Sequence, residues 1–137
     1  MSFNWDNNIS NATDFSPITT TTYTVTGTDN NGCINTDQVN ITVNSLPSVD
    51  AGQDLTICDG DSVILNATGA FIYSWDNNVY NAISFLPTVS KTYIVNGTDV
   101  NGCIGSDNIL VTVNTLPNVD EGSDVAVCIG NLVTLVG

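Results

Sequence analysis

The chain has 137 residues and a formal net charge of −13, with thirteen aspartates and one glutamate against a single cation, Lys91, and no histidine. Such a surface repels nucleic acid and anionic membrane, because nothing neutralises phosphate, and it leaves general-base and nucleophile chemistry few players, so no enzymatic activity is expected. Threonine, asparagine, valine and glycine abound while Glu, Lys and Arg are nearly missing, which is β-sheet composition; no apolar run is long enough for a membrane-spanning helix.

Taken in order, Phe3 and Trp5 point one way on a first strand, and Tyr73-Ser-Trp75 repeats it. Asp6-Asn7-Asn8 and Asp76-Asn77-Asn78 follow as turns, then a short apolar strand near Ile83 to Phe85, matched by Phe15, that Pro17 or Pro87 ends. Next comes Thr22-Tyr-Thr-Val-Thr-Gly-Thr-Asp-Asn-Asn-Gly-Cys33, which returns as Thr92-Tyr-Ile-Val-Asn-Gly-Thr-Asp-Val-Asn-Gly-Cys103 at an offset of 103 − 33 = 70 residues. Its alternation predicts strands over about 20–28 and 91–98. Asn31-Gly32 and Asn101-Gly102 predict two-residue hairpin turns with positive φ. Val39, Ile41 and Val43 then alternate inward with Gln38, Asn40 and Thr42 outward, and Ile109, Val111 and Val113 repeat the inward set.

Asn44-Ser-Leu-Pro-Ser48 and Asn114-Thr-Leu-Pro-Asn118 read as short, proline-stiffened boundaries that keep successive units nearly coaxial. Beyond the first lie a strand over 49–57, the Cys58-Asp-Gly-Asp61 turn, and a strand carrying Val63 and Leu65 inward. The Trp5/Trp75, Leu46-Pro47/Leu116-Pro117 and Cys58/Cys128 pairs share the 70-residue spacing, so a tandem array is expected. The expected fold is all-β: tandem immunoglobulin-like antiparallel sandwiches, with 1–44 a unit lacking its first two strands, 45–114 a complete unit, and 115–137 the first two strands of another. Trp5, Trp75, Tyr23 and Tyr93 are expected in cores, with a tyrosine hydroxyl tied to backbone.

Leu46-Pro-x-Val-Asp-Ala-Gly-x-Asp54, Ile57-Cys-Asp-Gly-Asp-Ser-Val63, Tyr73-Ser-Trp75 and Thr92-Tyr-x-Val…Asn-Gly-Cys103 together resemble the Ig-like and PKD-like repeats of large surface proteins of Bacteroidota, including gliding-associated adhesins and type IX secretion substrates. The resemblance covers the whole chain. It implies a secreted, cell-surface, multi-domain stalk or adhesin. The third copy departs at Asp120-Glu-Gly and at Cys128-Ile-Gly-Asn131.

Two readings accommodate the unit boundaries. One is a fragment of a longer array; the other is strand complementation, in which the last two strands of one subunit complete the open unit of the next and build a head-to-tail fibre. Either way, the expected partners are adjacent copies or neighbouring repeats. The first residues lack the plan of a secretory signal, so any export signal or anchor is expected outside this stretch.

Calcium is the best cofactor candidate: Asp99 and Asn101 in the hairpin turn and Asp50 at the start of the first strand are expected at one pole, with Asp29, Asn31 and Asp120 as partial counterparts. The same residues serve as ordinary turn formers. Cys33, Cys58, Cys103 and Cys128 are disulfide candidates for an oxidising compartment. Cys58 and Cys103 are expected at opposite poles, too far apart for one bridge, so pairing between adjacent repeats or subunits is expected. A carbohydrate- or protein-binding module is the alternative function, with Tyr80 as its main exposed aromatic.

Overall fold

The computed structural model describes residues 1–135, which contain nine strands and no helix. These are β1 (Ser2–Trp5), β2 (Thr21–Thr28), β3 (Ile34–Ile41), β4 (Leu55–Cys58), β5 (Val63–Ile64), β6 (Ile72–Trp75), β7 (Ser84–Phe85), β8 (Lys91–Thr98) and β9 (Ile104–Asn114). They form three sheets, in the orders β1-β2-β3, β4-β9-β8-β6 and β5-β7.

The β8–β9 hairpin is the spine of residues 45–114. Tyr93, Val95 and Gly97 are buried while Ile94 and Asn96 face out, the period-two pattern that pleating imposes. The turn differs from the expected two-residue form. Gly102 takes a φ of 83° while Asn101 does not enter the left-handed region, and the Gly102 N–H donates to the Asp99 carbonyl, giving a three-residue loop. Gly32 repeats this at φ 83°. Positive φ appears instead at Asn7, Asn8, Asn77 and Asn78, in the turns after the tryptophan strands.

The core lies between β5-β7 and the four-stranded sheet. Ala51, Val63, Leu65, Ala67, Trp75, Val79, Tyr93, Val95, Ile109 and Val111 form one buried cluster, with Phe85 packed against it. Phe85 meets Tyr93 edge to face at 5.2 Å. The hydroxyl tied to backbone belongs to Tyr73, which donates to the Ala70 carbonyl and accepts from the Ala70 N–H.

The expected continuous strand over 49–57 is split. Asp50 bridges antiparallel to Thr68, Gly52 turns the chain at φ 89°, and only then does β4 form. β4 pairs parallel with β9, from Leu55↔Val111 to Cys58↔Asn114, so the sandwich is not wholly antiparallel. Side chains bridge the interval: the Ala51 N–H donates to Asp107 Oδ2 at 2.8 Å, and the Leu110 N–H to Asp54 Oδ1 at 2.8 Å. Gly105 is required where the chain comes in, since a Cβ there would lie 2.3 Å from the Pro47 carbonyl oxygen.

Residues 1–41 reproduce one sheet without the other. β1–β2 runs from Ser2↔Thr28 to Trp5↔Val25, and β6–β8 from Ile72↔Thr98 to Trp75↔Val95, a displacement of 72 − 2 = 70 residues. Thr21↔Ile41 and Lys91↔Val111 show the same shift. Among the described residues β1–β3 contacts no strand of β4–β9, and residues 115–135 form no strand and are exposed.

Candidate functional site

The surface that stands out is one face of β1-β2-β3. In residues 45–114 the equivalent face is covered by residues 49–67; in residues 1–44 none of the described residues covers it. Ile109 is 2% exposed and its counterpart Val39 is 45% exposed. Trp75 is buried, whereas Trp5, expected in a core, is only half-buried, because no strand lies over it. Tyr23 does reach the expected burial, aided by edge-to-face packing with Phe15 at 5.2 Å.

Two grooves mark this face. One, of about 280 Å³, is walled by Trp5, Ala12, Phe15, Tyr23, Val39 and Ile41. These are the counterparts of residues surrounding Val63 and Leu65 in the complete core. The other, of about 380 Å³, lies over Phe3, Val25, Gly27, Asn35 and Asp37. Its counterpart is filled by Val49, whose side chain stands against Gly97 and Gly105.

Local geometry is set up as if for cover. Trp5 Nε1 donates to Asn11 Oδ1 at 3.2 Å, as Trp75 Nε1 does to Asn81 Oδ1 at 3.0 Å. Asn81 Oδ1 also receives the Ala67 N–H of the covering segment, at 2.8 Å. The Ala51 N–H holds the Asp107 carboxyl below the usual carboxylate range. Burial, followed by the nearby Asp76 charge, pushes the Tyr93 hydroxyl up.

Residues 115–135 follow residues 45–65 in sequence at a displacement of 70. Val133 and Leu135 correspond in sequence to Val63 and Leu65, yet Leu65 is 1% exposed and Leu135 82%. The remainder of the expected third unit, residues 136 and 137, lies outside the described residues. Burial contrast at equal sequence positions is what identifies the face, which strand order in the sequence marks only as an open unit over 1–44.

The candidate calcium ligands serve their own turns. Asp99 Oδ1 accepts the N–H groups of Asn101 and Cys103 at 2.8 and 2.9 Å, and Asp99 Oδ2 accepts from the Asn101 amide. Loss of hydration acts to raise the Asp99 pKa, but the N–H donors outweigh it and the carboxyl titrates low. Asp29 is lowered in the same way, chiefly by the Cys33 N–H. Asp50 Oδ1 receives the Gly52 N–H at 2.9 Å. Among the described residues no group of three or more His, Cys, Asp or Glu side chains is placed to hold a metal ion.

Cys33, Cys58, Cys103 and Cys128 are free thiols. Cys58 pairs with Asn114 at one end of β9, while Cys103 precedes Ile104 at the other. At about 3.3 Å per residue the two ends of β9 are about 33 Å apart, well beyond the reach of one disulfide. Tyr80 is exposed, and so are Phe3, read from the sequence as sharing a strand face with Trp5, and Phe71, which the sequence pattern does not mark. No helix among the described residues is long and apolar enough to cross a membrane. No family model and no curated protein matches the chain.

Proposed function

We propose that this chain is a structural segment of an extracellular adhesin or fibre, built from immunoglobulin-like units joined end to end into a rod. The single observation that carries the reading is the direction of the chain through residues 45–114. It comes in beside Gly105, against which Pro47 packs, runs along β9 and leaves after Asn114, so it departs at the end opposite its arrival. Units threaded this way extend when they are linked, and a proline-stiffened connector of few residues keeps them in line.

The strand order supports the immunoglobulin-like part. β8 and β9 form the central hairpin, β6 lies beside β8, β5 and β7 stand opposite, and an edge segment passes from a bridge with Thr68 to a parallel pairing with β9. The equal registers at 70-residue displacement support the repeat. Thiols at opposite ends of a unit suit bridges between neighbours, which would stiffen a rod under tension. The strongly acidic surface, with one lysine and no histidine, favours a mechanical role over a catalytic one.

Electron microscopy of native cells labelled with an antibody to residues 45–114 tests this. Extended filaments or stalks projecting from the surface are expected; label confined to the cell interior would overturn it. The alternative, a module that binds carbohydrate or protein, draws on exposed Phe71 and Tyr80. Glycan-array binding lost on Tyr80→Ala would favour it.

A further inference from the structure

We propose that residues 49–59 and the facing residues 107–114 of β9 form a mechanical clamp: tension along the chain loads the bonds between them in shear, and Asp54 and Asp107 carry part of that load as side-chain pegs. The inference rests on the end-to-end reading above and names the element that resists pulling.

The direction of the load follows from the path of the chain. Residues 45–114 are entered where Pro47 lies against Gly105, near the start of β9, and are left at Asn114, its end. A pull on the chain from both sides therefore drags residues 49–58 toward the start of β9 while it drags β9 toward its own end. Strands β4 and β9 run parallel, from Leu55↔Val111 to Cys58↔Asn114, so the pull draws them past each other along their length. Ladder bonds run between strands and not along them. Under this load they are strained together, and none opens far ahead of the rest.

The paired stretch is short, with only four residues in β4. Two carboxylates lengthen it. Gly52 turns the chain at φ 89° and interrupts the ladder. Across that interruption Asp107 Oδ2 accepts the Ala51 N–H at 2.8 Å, and Asp54 Oδ1 accepts the Leu110 N–H at 2.8 Å. One peg hangs from β9 and the other from the edge segment, and a slip of one residue, about 3.3 Å, breaks both.

The ends of the grip are also fixed. Upstream, Val49 fits against Gly97 and Gly105. Downstream, the Asp59 N–H donates to the Asn114 carbonyl at 2.8 Å. Because a hydrogen bond to a carboxylate is roughly twice as strong as a neutral one, the two pegs match the share of about four ladder bonds. Both recur in the sequence at a displacement of 70, Asp54 as Asp124 and Asp107 as Asp37.

Force spectroscopy of the full chain tests the clamp. With Cys33, Cys58, Cys103 and Cys128 all changed to serine, handles attached through Leu46→Cys and Thr115→Cys load β4 and β9 in shear. Handles at Asp59→Cys and Thr115→Cys part the same two strands from one end, so their bonds open in turn. The first geometry is expected to need a severalfold greater force. In that geometry Asp54→Ala and Asp107→Ala should each speed unfolding at a fixed load roughly tenfold. Asparagine at either position should restore part of the loss, because its amide oxygen still accepts. Val79→Ala, a buried site in the loop between β6 and β7, should lower the urea midpoint and leave the shear force unchanged. Equal forces in the two geometries, shear unfolding indifferent to both aspartate substitutions, or a shear force that merely follows the urea midpoint across all variants would each overturn the proposal. Surface filaments whose unit opens as easily in shear as from one end would remove the clamp and leave the structural reading intact. A strong clamp in a protein confined to the cell interior would remove the surface role alone.

Discussion

Residues 1–41 and residues 72–111 build the same three strands in the same register, yet only the second set has a core. Both hairpins carry the alternating side chains, the tryptophan held by an asparagine and the aromatic pair at 5.2 Å. What separates them is the passage of residues 49–67, which brings Leu65 and Val63 down onto the sheet and lays β4 along its edge. A sheet of this type specifies its own pairing but not the burial of its inner face; that takes a second layer.

Substitutions at paired positions should reveal the contrast, and Leu65→Ala should reveal it most. Removing a side chain that is almost wholly enclosed should cost about 2–5 kcal/mol, read by urea denaturation, whereas Leu135→Ala in dilute monomer should change stability by less than about 0.5 kcal/mol. Equal losses at the two positions would mean that residue 135 already packs within its own chain.

Gly105→Ala comes next. The added methyl would press on the Pro47 carbonyl oxygen and is expected to cost about 1–3 kcal/mol. Asn35→Ala, at the matching place with nothing over it, should be neutral within about 0.5 kcal/mol.

Acid should loosen the two regions differently. The Asp107 carboxyl is lowered from an ordinary value of 3.8 by the Ala51 N–H. A group depressed in the folded state contributes stability that is present above its unfolded pKa and is lost as pH falls through the folded one. Residues 45–114 should therefore weaken only below about pH 4, and Asp107→Asn should flatten that limb of a stability–pH curve. An unchanged acid limb in the variant would show that the peg to Ala51 contributes nothing.

Oxidation should alter the folds least. With glutathione disulfide as oxidant, the two thiols that form each bridge give up two protons and two electrons, which the oxidant takes up to leave as two molecules of reduced glutathione. The expected links join cysteines of adjacent repeats or subunits, with none between Cys58 and Cys103 of one unit, found by non-reducing peptide mapping. Recovery of a Cys58–Cys103 peptide from a single chain would contradict the placement of these thiols at opposite ends of β9.

How far the chain could be read from its letters varies by element. Tyr93, Val95, Ile109 and Val111 announce β8 and β9 through alternation, since pleating sends successive side chains to opposite faces whatever the neighbours do. The Asn-Gly dipeptide located the hairpin loop but not its length, because Asp99 offers its carboxylate to the following N–H groups and draws out a three-residue loop. Asp50 and Asp99 accept backbone N–H groups within their own turns, and the letters alone do not tell that use from the ligand reading of Asp50, Asp99 and Asn101. The exposed face over Trp5 was legible only as a gap in strand order, and its open grooves had to be measured.

Sequence by itself determined the alternating strands β2, β3, β8 and β9 and the recurrence of the same letters 70 residues on, because these depend on residues close in the chain and on a side-chain period of two. Tertiary structure alone decided which faces are covered, that the first strand breaks at Gly52 to change partners, and that β4 runs parallel to β9. Those outcomes depend on contacts between residues some 56 positions apart, such as Ala51 with Asp107 and Asp54 with Leu110, and no local pattern encodes which distant segment arrives.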